Sequence, residues 1–157
     1  EAKYVIPRDK ESPMFVVFDL DGTLADNAHR LHHIRVAPKD YAAFYAACPD
    51  DRPCEPVIQT LRAHVLAGHR VEIWTGRSDY VRAETVAWLE QHGIAPRLLA
   101  RMRPAVDHQP DTHLKRAWLQ DTRRVGNPDL AYDDRDGVVA MWREAGVTCF
   151  QVAPGDF

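Results

Sequence analysis

The stretch Phe15-Val16-Val17-Phe18-Asp19-Leu20-Asp21-Gly22-Thr23-Leu24 decides the reading of this chain. From Met14 to Phe18 the residues are apolar, and four of them are β-branched or aromatic. That is the pattern of a strand buried on both faces in a parallel sheet. Two aspartates one residue apart then follow, and they fall at the strand's C-terminal end. At that edge of an α/β sheet ligands bind. An Asp-Gly pair is an ordinary turn, which accounts for Asp21-Gly22 and leaves Asp19 unexplained. A carboxylate ending an apolar strand is costly unless a cation or a reaction uses it.

Later segments repeat the form. Val71-Glu72-Ile73-Trp74 is an apolar strand ending in Thr75-Gly76-Arg77, and Leu130-Ala131-Tyr132 ends in Asp133-Asp134-Arg135. Lys115 lies in a helical stretch, Asp111 to Leu119. Each has a plain structural alternative. Thr75 serves as a turn hydroxyl, Lys115 as a solvated helix lysine, and Asp133 and Asp134 as caps of the next helix. Their order, each time at a strand end or on the helix between, favours one shared site. The spacing predicts strands at 14–19, 70–74, 97–101, 129–133 and 147–152. Helices are expected near 56–67, 79–92, 112–122 and 136–145. Such alternation gives an α/β, Rossmann-like fold, a central parallel sheet flanked by helices. Right-handed crossovers place the motif-bearing strand ends on one edge.

Residues 1–13 read as a polar lead-in or linker, and 14–157 as one domain. The segment 25–56 breaks the alternation and is too long for a simple loop. It contains a helical pattern at 38–47, followed by the turn-rich Pro49-Asp50-Asp51-Arg52-Pro53. Composition is that of a globular domain, 45% hydrophobic and 27% charged, with a net charge of −3. There is no global basic footprint for long nucleic acid and no apolar run of membrane-spanning length. Three cysteines without a CxxC pair suggest a reduced, cytoplasmic protein without a zinc site. Arg35, Arg97, Arg101, Arg103, Arg123 and Arg124 are expected mainly on a solvated face. His29, His32 and His33 read as surface or substrate-facing, and Trp74, Trp88, Trp118 and Trp142 as core.

Asp19-x-Asp21-Gly-Thr-Leu resembles the first motif of haloacid-dehalogenase (HAD) superfamily phosphotransferases. Thr75, Lys115 and Asp133-Asp134 are similar to the second, third and fourth. The C-terminal run from Ala131 to Phe157 closely resembles the end of the 3′-phosphatase domain of bacteriophage polynucleotide kinase-phosphatases. It contains Asp-Asp-Arg, Val-Val-x-Met-Trp-Arg, Gly-Val-x-Cys and Gln-Val-Ala-x-Gly-Asp-Phe. The resemblance extends more weakly back to Phe15.

The resemblance implies a HAD fold with a small helical cap inserted after the first strand, about 25–56. It implies a Mg²⁺-dependent phosphomonoesterase that removes the 3′-phosphate of polynucleotide ends through an aspartyl-phosphate. Asp19 would be the nucleophile and Asp21 the general acid and base. Lys115 would neutralise charge. Thr75, Gly76, Arg77 and Arg30 would hold the substrate phosphate. The Mg²⁺ would take Asp19, the Asp21 carbonyl and an acid from the Asp133/Asp134 pair, with Asp133 favoured as direct ligand. A hard cation with oxygen ligands suits a carboxylate attacking a phosphate dianion. Expected partners are nucleic acid 3′-phosphate ends or 3′-nucleotides, met through weak, salt-sensitive contacts. These residues contain no phosphate-binding Gly-x-x-x-x-Gly-Lys loop, so the expectation is either a kinase domain attached in the full-length protein or a stand-alone phosphatase. If phage-encoded, the protein would act in the host cytoplasm. Two alternatives stand beside this: a HAD phosphatase of nucleotides or other small molecules, and a non-catalytic domain that binds nucleic acid ends.

Overall fold

The apolar run forms β1 (Phe15–Phe18) at the centre of a five-stranded sheet in a computed structural model that describes residues 12–156. The proposed lead-in at 1–13 lies outside the described residues up to position 11. Chain order continues with a small excursion: β2 (Ala25–Asp26), α1 (His32–Arg35), α2 (Tyr41–Ala46) and β3 (Arg52–Pro53). Then come α3 (Glu55–Leu66), β4 (Arg70–Ser78), α4 (Arg82–Gln91), β5 (Leu99–Arg103), α5 (Asp111–Thr122), β6 (Leu130–Asp133), α6 (Asp136–Glu144) and β7 (Thr148–Gln151). The sheet order is β5-β4-β1-β6-β7 and every pairing is parallel.

Strand periodicity divides the core. Val16 and Phe18 face one side and pack with Ile58 and Leu61 of α3 and with Trp88 and Leu89 of α4. Phe15 and Val17 face the other side, against Leu119 of α5 and Val138, Val139 and Trp142 of α6. A strand buried on both faces needs apolar residues at successive positions, which Phe15 to Phe18 supply. Trp74, Trp88 and Trp142 are core as expected, and Trp118 is half-buried against the second cluster.

Some element ends differ from the sequence expectation. β4 continues to Ser78, so Thr75, Gly76 and Arg77 are strand residues. The pairing of β4 with β5 shifts register between Ile73 and Trp74 and again between Thr75 and Ser78, the irregularity of a β-bulge. The strand expected at 97–101 starts at Leu99, because Pro96 opens a 3-10 turn first. Ser78 caps a 3-10 turn at Asp79–Val81, accepting from the Tyr80 amide at 3.2 Å, so the helix expected from 79 begins at Arg82.

The chain crosses from β5 back to β6 beside β1, so the strand order switches around β1. The crevice at such a switch point lies beyond the strand C-termini, and it receives Asp19. The excursion between β1 and α3 leaves and rejoins the core at neighbouring points. Ala25 pairs with Pro53, and the Cys54 amide donates to the Leu24 carbonyl at 2.8 Å. Among the described residues no helix is long and apolar enough to cross a membrane, and all three cysteines are free.

Candidate active site

Four buried groups converge beyond β1 and β6. The Lys115 ammonium donates to Asp19 Oδ1 at 2.7 Å and to Asp133 Oδ2 at 2.8 Å. Lys115 reaches them because α5 turns Leu114, Lys115, Leu119 and Thr122 to its buried side. Asp133 is fully used: its Oδ1 also accepts from the amides of Asp134 and Arg135, at 3.0 and 3.3 Å. One oxygen each from Asp19, Asp133 and Asp134 lie within 4.8 Å of one another. With all three carboxylates ionised, the single ammonium would leave the cluster two negative charges in excess. Burial, and then the neighbouring Asp133, push Asp19 well above the ordinary carboxylate range. The same causes, in the same order, raise Asp134 to about 6. Such crowding of hard oxygen donors fits a divalent cation such as Mg²⁺.

The backbone is shaped around these groups. Gly22 sits at φ +84°, and a Cβ there would fall 2.1 Å from Asp134 Oδ2. Both the conformation and the approach require glycine. At Gly76 a Cβ would collide with the Asp111 carboxylate.

Asp21 has different company. Arg30 Nη2 donates to its Oδ1 at 2.6 Å, and Arg77 binds both of its oxygens. Behind them is Asp51, whose side chain is wholly buried. Asp51 accepts from Arg30 Nε and Nη2, each at 2.7 Å, and from Arg77 Nη2 at 3.1 Å, and it meets His29 Nε2 at 2.8 Å. Burial alone would raise the Asp21 pKa, but Arg77 and Arg30 outweigh it and hold the group at about 2. A carboxyl depressed by folding adds stability above its unfolded pKa and loses it as pH falls through the folded one. The clamp should therefore contribute about 2 kcal/mol above pH ~4, lost on acidification towards pH ~2. Denaturant melts of the wild type and Asp21→Asn across that range measure this, and an equal pH slope in both would contradict it.

Asp19, Asp21, Gly76, Arg77, Asp133 and Asp134 line one cavity of about 440 Å³. Lys115 lies behind Asp19, buried. Thr75 is also buried, its hydroxyl accepting from the Arg77 amide at 3.0 Å. Arg30 is behind Asp21 and is completely buried, so it is no surface residue.

Three contributors carry no clear mark in the sequence. Arg103, expected on a solvated face, is buried at the end of β5. Its Nε donates to the Gly76 carbonyl at 2.7 Å and its Nη2 pairs with Asp111. The longer β5 puts it on the catalytic edge, which a strand end two residues later would have indicated. Asp111 also meets Arg135 Nη1 at 3.3 Å. It lies one helical turn before Lys115, a spacing that flags a shared face. Asp51 lies in a turn-rich segment and has no such signal. Arg97, Arg123 and Arg124 are exposed as expected. Among the described residues the only cluster with metal-ligand spacing is the Asp19 group, and no histidine joins it.

A parallel sheet of this order, with an aspartate pair after its central strand and a lysine and two acids behind it, defines a phosphatase of the HAD superfamily. Its fold is shared by a putative phosphatase from Clostridium difficile, at a TM-score of 0.62 and 15% identity over 90% of this chain and 86% of that one. The particular family follows from the sequence: the model of the polynucleotide kinase PNKP phosphatase domain matches residues 13–157, and the chain belongs to that family. Two solved chains agree. One, from a Pnkp1/Rnl/Hen1 complex, is 29% identical with a TM-score of 0.73, over 99% of this chain and 51% of that one. The other, from the Pnkp1/Rnl/Hen1 RNA repair complex, is 26% identical with a TM-score of 0.74, over 100% and 48%. The chain thus spans about half the length of these two relatives.

Proposed function

We propose that the chain is a Mg²⁺-dependent phosphatase of polynucleotide 3′-ends that works through an aspartyl-phosphate. The observation that supports this best is the position of Asp19. Its Oδ1 is fixed by Lys115, and it lines one cavity together with Asp21 and Arg77. Asp19 attacks phosphorus and the bond from phosphorus to the 3′-oxygen breaks. The leaving oxygen takes a proton from Asp21. Water then attacks the phosphorus of the aspartyl-phosphate while Asp21 accepts its proton, and phosphate departs with Asp19 regenerated.

In the structure Asp21 is held ionised, the form that serves the second step. For the first step its arginine contacts must relax, and the substrate phosphate supplies a competing anion for Arg77. Arg30 and Asp51 then keep the charges of that corner balanced. Thr75 sets the Arg77 backbone, and the Gly76 amide would hold phosphoryl oxygens.

The residues present fit Mg²⁺. Asp19, the Asp21 carbonyl and Asp134 would hold it. Asp134 is preferred to Asp133, whose oxygens are committed to Lys115 and two amides. When bound, the ion would offset the charge of nucleophile and phosphate. The excursion at 25–56 acts as the cap over the site. The basic residues around the cavity, Arg77, Arg103, Lys115 and Arg135, are each paired with a carboxylate, so contact with the strand beyond its end is weak and salt-sensitive. A kinase region joined to this domain and a role in cytoplasmic nucleic acid repair complete the reading.

Matched oligonucleotides with a 3′- or a 5′-phosphate, and free nucleotides, test it with Mg²⁺ and with EDTA. Loss of the 3′-phosphate alone, abolished by EDTA, is expected. Preference for 5′-nucleotides or small esters would reassign the chain to a small-molecule phosphatase, which the modest cavity volume also suits. Mg²⁺ should also raise the melting temperature of the wild type, and much less that of Asp134→Asn.

A further inference from the structure

The cap helix α2 contributes Tyr41, Phe44 and Tyr45 to the lining of the cavity that holds the carboxylates, and its make-up is specific. Phe44 turns inward and is buried, its ring under the Arg30 guanidinium at 4.3 Å. That anchor fixes the rotation of the helix. Tyr41 and Tyr45, one turn apart, then both face the cavity, with ring centroids 6.4 Å apart and planes tilted by 34°. Tyr41 is 49% exposed, a large apolar surface to leave beside a catalytic cavity. Tyr45 is half-buried beside it.

A second part of the lining is tied down by hydrogen bonds. Residues 104–110 are gathered by Arg103, whose Nη1 donates to the carbonyls of Gln109 at 2.6 Å and Asp107 at 3.3 Å. The Asp79 carboxylate accepts from the Ala105 amide at 2.9 Å, and Asp107 Oδ1 from the Gln109 amide at 2.9 Å. Ala105, His108 and Pro110 of this loop line the cavity. The cavity that Asp19 lines is thus bordered both by this loop and by the two tyrosines.

We infer that Tyr41 and Tyr45 form the stacking platform for the base of the terminal nucleotide, and so set the preference for nucleoside phosphates over small aliphatic esters. This rests on the proposed 3′-phosphatase activity. Tyrosine faces accept every base, because each has a π-face, and so suit an enzyme acting on ends of any sequence. An aliphatic ester has no flat group to place there.

The test compares an oligonucleotide with a 3′-phosphate, the same oligonucleotide with an abasic terminal 3′-phosphate nucleotide, and glycerol phosphate. In the wild type, loss of the terminal base should raise KM roughly tenfold or more, as stacking energies imply. In Tyr41→Ala and Tyr45→Ala the ratio of the two KM values should fall towards one. Tyr41→Phe and Tyr45→Phe should retain it, because the ring and not the hydroxyl stacks. Equal wild-type KM values for intact and abasic ends would overturn the inference, as would an unchanged ratio in both alanine variants. If the wild type hydrolyses glycerol phosphate but neither 3′-end, the 3′-phosphatase reading itself fails, and the platform with it.

Discussion

Asp19→Asn is expected to lower phosphate release by at least about 10⁴-fold while leaving the fold intact, because an amide cannot form the acyl-phosphate. Its effect on stability should have the opposite sign. The Asp19 pKa is raised in the folded protein, by burial and then by Asp133. A group whose ionised form is disfavoured by folding subtracts stability at pH values where it is charged. The amide removes one of three crowded negative charges, and Lys115 keeps its bond to Asp133. At neutral pH without Mg²⁺ the variant should therefore melt no lower than the wild type, and Mg²⁺ should raise its melting temperature less. Single-turnover phosphate release and paired melts with and without the ion check both halves. Substantial residual turnover would falsify the assignment of Asp19 as nucleophile.

Lys115→Met should show the largest loss of stability of any change in the site. Its ammonium lies between two carboxylates, and the side chains of all three are at least nine-tenths buried. Methionine fills a similar volume but leaves Asp19, Asp133 and Asp134 with no cation among them. Removing one partner of a buried ionic set costs about 3–5 kcal/mol. Two further results separate charge from packing. Acidification should narrow the gap to the wild type, since protonating the carboxylates relieves the repulsion. Mg²⁺ should stabilise the variant more than the wild type, because it enters a more negative site. Activity should remain low, since the lysine that fixes Asp19 is gone. A variant equally destabilised at every pH and indifferent to Mg²⁺ would point to a packing role.

The sequence discloses the residues at strand ends and hides those whose position depends on the excursion. Asp19, Thr75 and Asp133 follow apolar runs, and strand period and chain direction alone suffice to place them on one edge. Lys115 is legible by its order, although its burial is not. It takes the facing strands to show that α5 turns this lysine inward. Asp51 illustrates the opposite case. Nothing in Pro-Asp-Asp-Arg-Pro says which aspartate will be buried, because its partners, Arg30 and Arg77, are 21 and 26 residues away. Arg103 escapes the sequence pattern because the expected strand ends two residues early, and a short shift moves a side chain from solvent to the site.

The junction between Leu24 and Cys54 has a consequence for the descent of such proteins. The excursion departs from and returns to almost the same point, closed by one amide–carbonyl bond and a two-residue ribbon. The sheet therefore experiences the same boundary whatever the length or sequence of the intervening chain. Insertions and replacements there can leave the strand register undisturbed, and on the proposed reading of the excursion as a cap, selection can rewrite substrate preference in that cassette while the chemistry below it is kept. The ionic knot at Asp51 is the exception, since Arg30 and Asp51 both belong to the cassette, and a replacement without them leaves Arg77 and Asp21 paired only with each other.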